Sequence, residues 1–424
     1  MGNKIKADLI VCHADQLITM AGASKTPKHG CGMSRIGLIE DGAVAVKEKE
    51  LIAVGLTPEV MEKVEVGPET MIINAAGKLV MPGLVDPHTH LVFAGSREHE
   101  LELRLKGLHY LDILKLGGGI LSTVSATRAA SQQDLLQISL KYLDQMIAHG
   151  TTTVEAKSGY GLNLRDEIKT LIIHRELNTL HPVDLVSTFL GAHAVPEEYR
   201  GNPQEYVELV VGEMLPAVAR DGLAEFCDVF FEDGVFDKEQ SRHILISAKK
   251  LGFKLKVHAD EIKSLGGAEL AAEIGAVSAD HLMAVSEEGI RRLAQTGTIA
   301  VLLPSTTFCM MAPQYAPARK MIDSGVAVAL ASDFNPGSSP VNNMQVVMGI
   351  ACRQLKMKPA EVISAVTINA AHAIGRAGEV GSLETGKRAD MVIFDAPNYQ
   401  YLMYRFGLNL VDKVIKDGKV VVGG

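Results

Sequence analysis

Two textures of hydrophobic and polar positions alternate along the chain. In the first eighty residues, short β-like runs are broken by Gly, Asp and Pro, with no long helical pattern between them: ADLIVC at 7–12, RIGLIE at 35–40, GAVAVKEKELIAVG at 42–55 and ETMIINAAG at 69–77. The same texture returns in ADMVIFD at 389–395 and LVDKVIKDGKVVVGG at 410–424, where Asp417-Gly418 predicts a hairpin turn. Neither flank alone offers a generous core. Together they predict one small composite β domain, a β-sandwich built from 1–82 and 375–424.

Between the flanks the period changes. Apolar runs at 84–91, 151–157, 183–193, 224–230, 253–259, 276–282, 298–304 and 326–333 predict strands. Helical patterns separate them, among them 134–150, 205–222 and 268–275. Eight apolar strands alternating with helices predict an α/β fold, a (β/α)8 TIM-like barrel over 83–374. A doubly wound open sheet is the rival arrangement. The insertion at 92–133, with GlyGlyGlyIle at 117–120, reads as an active-site loop plus helix on the barrel rim.

Composition narrows the function classes. With 47% hydrophobic and 22% charged residues in 424, disorder is excluded as a description of the whole chain. A net charge of −8 argues against a broad nucleic-acid surface. No apolar stretch approaches the ~20 residues of a membrane span, and MGNKIKADLI does not read as a secretory signal. The five cysteines form no close pair, so reducing cytoplasm is the expected compartment.

The chemistry gathers at strand ends. HisThrHis at 88–90 closes the first predicted barrel strand, and alternation puts His88 and His90 on one face. His258 ends the fifth strand, His281 the sixth and Asp333 the eighth. A barrel collects such groups at its C-terminal face, where three imidazoles and a carboxylate satisfy one divalent ion and leave room for water. Neither SerGlyTyrGly at 158–161 nor GlyGlyGlyIle carries a phosphate or dinucleotide fingerprint, so ATP and NAD are not implied.

These segments resemble the amidohydrolase superfamily, and most closely its branch that opens the imidazolone ring in histidine degradation. The resemblance rests on MPGLVDPHTHLVFAGSR at 81–97, GGGILSTVSATRAAS at 117–131, HGTTTVEAKSGYGL at 149–162, FLGAHAVPEEY at 189–199, VHADE at 257–261, SADHL at 278–282 and ASDFNPGSSP at 331–340. HisThrHis and the final Asp mark the superfamily, whereas the GlySerArg and LysSerGlyTyrGly segments are more specific. The resemblance implies one metal ion per chain, zinc or iron, held by His88, His90, His258 and Asp333. The fourth strand lacks the lysine of the bridged two-metal branch, and Lys157 is expected to balance carboxylates.

The remaining roles are also carried by the resemblance. Glu261 and His281 are expected to contact substrate, with Glu261 moving protons and His281 stabilising the developing oxyanion. Asp333 has two duties open to it, binding metal and accepting a proton from water; Asp260 is expected only to support its turn. Arg97 is expected to bind the substrate carboxylate through its planar fork, with Tyr110, Tyr160 and His193 around the ring. Asn335, Gly337 and Ser338 form the corresponding ligand loop, or else an ordinary Asn-Pro-Gly turn.

The expected activity is hydrolysis of 4-imidazolone-5-propanoate to N-formimidoyl-L-glutamate, by a homodimer. Hydrolysis or deamination of another small heterocycle is the alternative. An inactive barrel in a regulatory assembly is a third reading, disfavoured because the metal and proton-transfer candidates are all present.

Overall fold

The computed structural model of the protein describes residues 4–107 and 118–423. The first flank supplies β1 (Ile5–Ala14), β2 (Gln16–Ile18), β3 (Leu38–Ile39), β4 (Gly42–Lys47), β5 (Glu50–Leu56), β6 (Val64–Asn74) and β7 (Leu79–Pro82). The single predicted run at 42–55 is two strands, because Glu48 turns the chain with a left-handed φ of 55°.

The eight predicted central strands all form: β8 (Leu84–Thr89), β9 (Thr151–Lys157), β10 (Asp184–Ala192), β11 (Phe226–Phe231), β12 (Lys254–Ala259), β13 (Ser278–His281), β14 (Ile299–Leu302) and β15 (Val328–Leu330). They pair in sequence order as one parallel sheet. Closure comes at the two ends of that order, where the Asp333 amide donates to the His88 carbonyl at 3.0 Å and the His90 amide to the Phe334 carbonyl at 2.9 Å. The sheet is a barrel, not the open doubly wound alternative. Burial on both faces explains why its strands read as near-continuous apolar runs. The segment predicted as one helix over 205–222 is broken into helix, π-turn and helix. Pro216, which cannot donate to a carbonyl one turn back, accounts for the break.

The C-terminal flank adds β16 (Met391–Phe394), β17 (Val411–Lys416) and β18 (Lys419–Val422). β16 pairs antiparallel with β7, so both chain ends share one six-stranded sheet, ordered β18-β17-β16-β7-β2-β3. A second sheet, β5-β4-β1-β6, packs with it around Leu9, Val44, Val80, Met391, Ile393 and Ile415. The predicted turn joins β17 to β18, with φ of 50° at Asp417 and 75° at Gly418. An ionic cluster ties these sheets to the barrel. Asp184, at the start of β10, lies 2.6 Å from Arg388 and 3.1 Å from Lys416, and Lys416 also lies 3.1 Å from Asp390.

Candidate active site

His88, near the end of β8, and His258, in β12, point into the barrel mouth beside His90, His281 and Asp333, and all five are buried. Asp333 Oδ1 lies 3.4 Å from His88 Nε2 and 3.5 Å from His90 Nε2. The His258 ring centroid stands 4.5 Å from that of His88 and 5.1 Å from that of His281. Donor atoms of His88, His258 and His281 fall within 4.8 Å of one another, as do those of His88, His90 and Asp333. Among the described residues, Nε2 of His88, Nε2 of His258 and both ring nitrogens of His281 have no hydrogen-bond partner.

Buried polar atoms without partners are costly, and four converging in one place call for a bound group. Burial pushes the His88 and His90 pKa values down to about 3 and about 4, so both rings are neutral near pH 7. Burial opposes the Asp333 charge, but its close contacts with the His88 and His90 rings outweigh it and hold the carboxyl well below its usual range. Neutral imidazoles with an ionised carboxylate are the donor set of a catalytic metal site. The backbone is strained at the same place, with φ of 78° at His281 and 54° at Asp333.

Behind these side chains lies a charged layer of which sequence reasoning singled out only Lys157. Asp280 Oδ2 sits 2.6 Å from His88 Nδ1, and Asp228 Oδ2 sits 3.0 Å from His258 Nδ1. The hydrogen-bonded carboxylate on Nδ1 of His88 fixes its ring and tautomer, so that Nε2 is the atom presented forward, whereas Asp228 approaches His258 at ion-pair distance only. Lys157, fully buried, lies 2.7 Å from Glu155, 2.8 Å from Asp228 and 3.8 Å from Asp280. Burial works against its charge, but the three carboxylates outweigh it and raise its pKa above the usual lysine value. Lys157 does balance carboxylates. A signal was present in the sequence: Glu155 and Lys157, Lys256 and His258, and Ser278 and Asp280 stand two apart in the predicted strands, which puts each pair on one face, and all six are buried.

Glu261 reaches the same mouth, its Oε2 3.6 Å from His281 Nδ1, and burial raises its carboxyl pKa. The Glu232 carboxylate secures the turn by accepting from the Ile262 and Lys263 amides. Asp260 supports its turn, accepting from the amides of Leu265, Gly266, Gly267 and Ala268. The His193 ring stacks on His90 with centroids 4.7 Å apart, and Tyr160 stands 5.7 Å from His90. Tyr110 lies outside the described residues.

Two expected ligand contacts look different in three dimensions. Asn335 is occupied in building its own loop: its Oδ1 accepts from the Gly337 and Ser338 amides, and its Nδ2 donates to the Asp333 carbonyl and Ser338 Oγ. The Nε–Nη2 edge of Arg97 is on Glu100, at 2.8 and 2.9 Å. Gly337 lies against that guanidinium, and a Cβ there would collide with it.

The amidohydrolase family model matches residues 79–421. Imidazolonepropionase from Alkaliphilus metalliredigens is 55% identical over 415 residues, covering 98% of each chain, and imidazolonepropionase from Geobacillus kaustophilus matches with the same identity and coverage. The chain belongs to the imidazolonepropionase branch of the amidohydrolase family. As an amidohydrolase it is a metal-dependent hydrolase acting on a small molecule. The fold is shared with distant relatives of solved structure. A zinc-bound adenosine deaminase from Xanthomonas campestris matches with a TM-score of 0.70 at 18% identity, over 99% of this chain and 93% of that one. Guanine deaminase from E. coli gives a TM-score of 0.69 at 15% identity, over 97% and 99%. Among the described residues, no helix of this amidohydrolase is long and apolar enough to cross a membrane.

Proposed function

We propose that this amidohydrolase adds water to 4-imidazolone-5-propanoate and releases N-formimidoyl-L-glutamate. The observation that carries the reading is the convergence of unpartnered imidazole nitrogens and an ionised Asp333 over the Asp228–Lys157–Asp280 layer. His88, His90, His258 and Asp333 would hold one zinc or iron ion per chain. Bound there, the metal supplies a Lewis acid for a carbonyl and makes water acidic enough to ionise near neutral pH.

The side chains divide the rest of the work. Asp333 accepts the proton that water gives up as its oxygen adds to the ring carbonyl carbon. His281 donates a hydrogen bond to the oxygen on which charge develops. The C–N bond of the ring amide then breaks, and Glu261, whose carboxyl pKa is raised by burial, protonates the departing nitrogen. Arg97 holds the propanoate, while Tyr160 and His193 orient the ring, with Asn335, Gly337 and Ser338 in the loop after Asp333; Tyr110 is assigned to substrate by the resemblance alone. A homodimer in the cytoplasm, with the chain divided into 83–374 and a joint 1–82 and 375–424 unit, belongs to the same reading.

The test is incubation of metal-replete protein with freshly generated imidazolone propanoate, following ring absorbance and product mass together. Loss of the ring with appearance of the formimidoyl product supports the assignment. A metal-replete, folded protein that turns over purines or triazines but not this substrate refutes it.

A further inference from the structure

The side chain behind Arg97 is more fully engaged than any substrate contact requires. Glu100 is completely buried, and four donors meet its two oxygens: Arg97 Nε at 2.8 Å, Arg97 Nη2 at 2.9 Å, Arg104 Nη2 at 2.9 Å and the Gly119 amide at 2.7 Å. A carboxylate has about four acceptor sites, so Glu100 has none to offer a ligand. Burial alone would raise its pKa, yet Arg97, the Gly119 amide and Arg104 outweigh burial and hold it below the ordinary glutamate value. Arg104 is itself only 10% exposed, and its Nε is buried without a hydrogen-bond partner among the described residues. On the far side of Arg97 stands Gly337, where a side chain would strike the guanidinium, so the group is gripped between Glu100 and the loop that follows Asp333.

We propose that Glu100 is the positioning residue for carboxylate recognition, holding Arg97 and Arg104 as a single cluster that accepts one carboxylate. Glu100 fixes the plane of Arg97 through the side-on pair and turns Arg104, with its unpartnered Nε, toward the same ligand. The inference rests on the assignment of Arg97 to the propanoate.

Positioning and bare charge predict opposite signs. Glu100→Gln removes a negative charge, so a purely electrostatic role makes the anionic substrate bind more tightly and its KM fall. A positioning role makes KM for the carboxylated substrate rise roughly tenfold or more. It leaves kcat within about threefold, metal content unchanged, and KM for the methyl ester of the substrate near the parent value. Unchanged or lowered KM for the acid in folded Glu100→Gln overturns the proposal. Should that variant fail to fold, Arg104→Met decides the same question: a rise in KM confined to the acid supports the cluster, and an unchanged KM overturns it. Arg97→Lys measured alongside separates the two layers. Equal losses on acid and ester there sink the Arg97 assignment itself, whereas discrimination by Arg97→Lys with none by Glu100→Gln sinks only the role of Glu100.

Discussion

If Asp280 orients His88 as a metal ligand, replacing it with Asn must weaken metal binding while leaving the fold intact. Asp280 is fully buried, takes His88 Nδ1 at 2.6 Å and accepts from Ser278 Oγ at 2.6 Å. Asn preserves the shape and one acceptor but deletes the charge. A hydrogen bond to a charged group contributes about 1.5–3 kcal/mol and a neutral one about 0.5–1.5, so the loss is about 1–2 kcal/mol. At about 1.4 kcal/mol per decade that is roughly 5–30-fold in metal affinity. Substitutions behind metal ligands generally cost about 10–100-fold, and the two ranges meet at roughly 10–30-fold. Lys157 keeps Glu155 and Asp228 within 2.8 Å, so the buried layer retains its balance and the barrel should fold. The measurement is competition against a chromophoric chelator at fixed pH, with circular dichroism on the same preparation. A folded Asp280→Asn protein that binds metal within twofold of the parent would refute the reasoning, since the contact at His88 would then carry no orientation energy.

Three other substitutions test other parts of the site and fold. Glu261→Gln should lower kcat about 10²–10⁴-fold with metal content retained, read by steady-state kinetics and elemental analysis; near-normal turnover removes Glu261 from the proton path. Gly337→Ala places a methyl against the Arg97 guanidinium and should raise KM for the carboxylated substrate about tenfold, with far less effect on its methyl ester. Lys416→Met leaves Asp390 and Asp184 with Arg388 alone and should cost about 3 kcal/mol, seen as a lower urea midpoint at unchanged slope. A midpoint equal to the parent's would mean that solvent already screens the cluster.

What the chain makes legible follows from physics that leaves a one-dimensional trace. Parallel strands covered on both faces are apolar throughout, so 151–157 or 298–304 can be read as barrel strands without knowing their partners. The ligand candidates are legible because His-x-His and isolated His and Asp residues stand at ends of those runs, where a barrel gathers its chemistry. Strand limits are less legible: of the run at 326–333 only Val328–Leu330 forms regular strand, and Asp333 ends the run in a left-handed conformation. The contacts of Arg97 are least so. Glu100, three residues on, would pass for an ordinary surface ion pair in sequence, and only burial with four donors gives it significance. Likewise the part Asn335 plays in building its own loop, where its Oδ1 accepts from the Gly337 and Ser338 amides, cannot be read before the turn exists.

The pairing of β7 with β16 constrains how the chain can be made. The two strands are separated by about 310 residues, so the sheet they share stays incomplete until the entire barrel has left the ribosome. At about 5–20 residues per second, β7 waits roughly 15–60 s for its neighbour. During that time the N-terminal strands present an open edge that invites pairing with other chains. Val66, Met71 and Ile72 remain solvent-facing on β6 even in the finished fold, adding to that hazard. Any loss of the chain from Met391 onward, by early termination or proteolysis, would make the vulnerability permanent by removing β16, β17 and β18 together with Lys416. Strands β16 to β18 therefore decide whether the N-terminal sheet is completed, although they contribute no atom to the proposed chemistry.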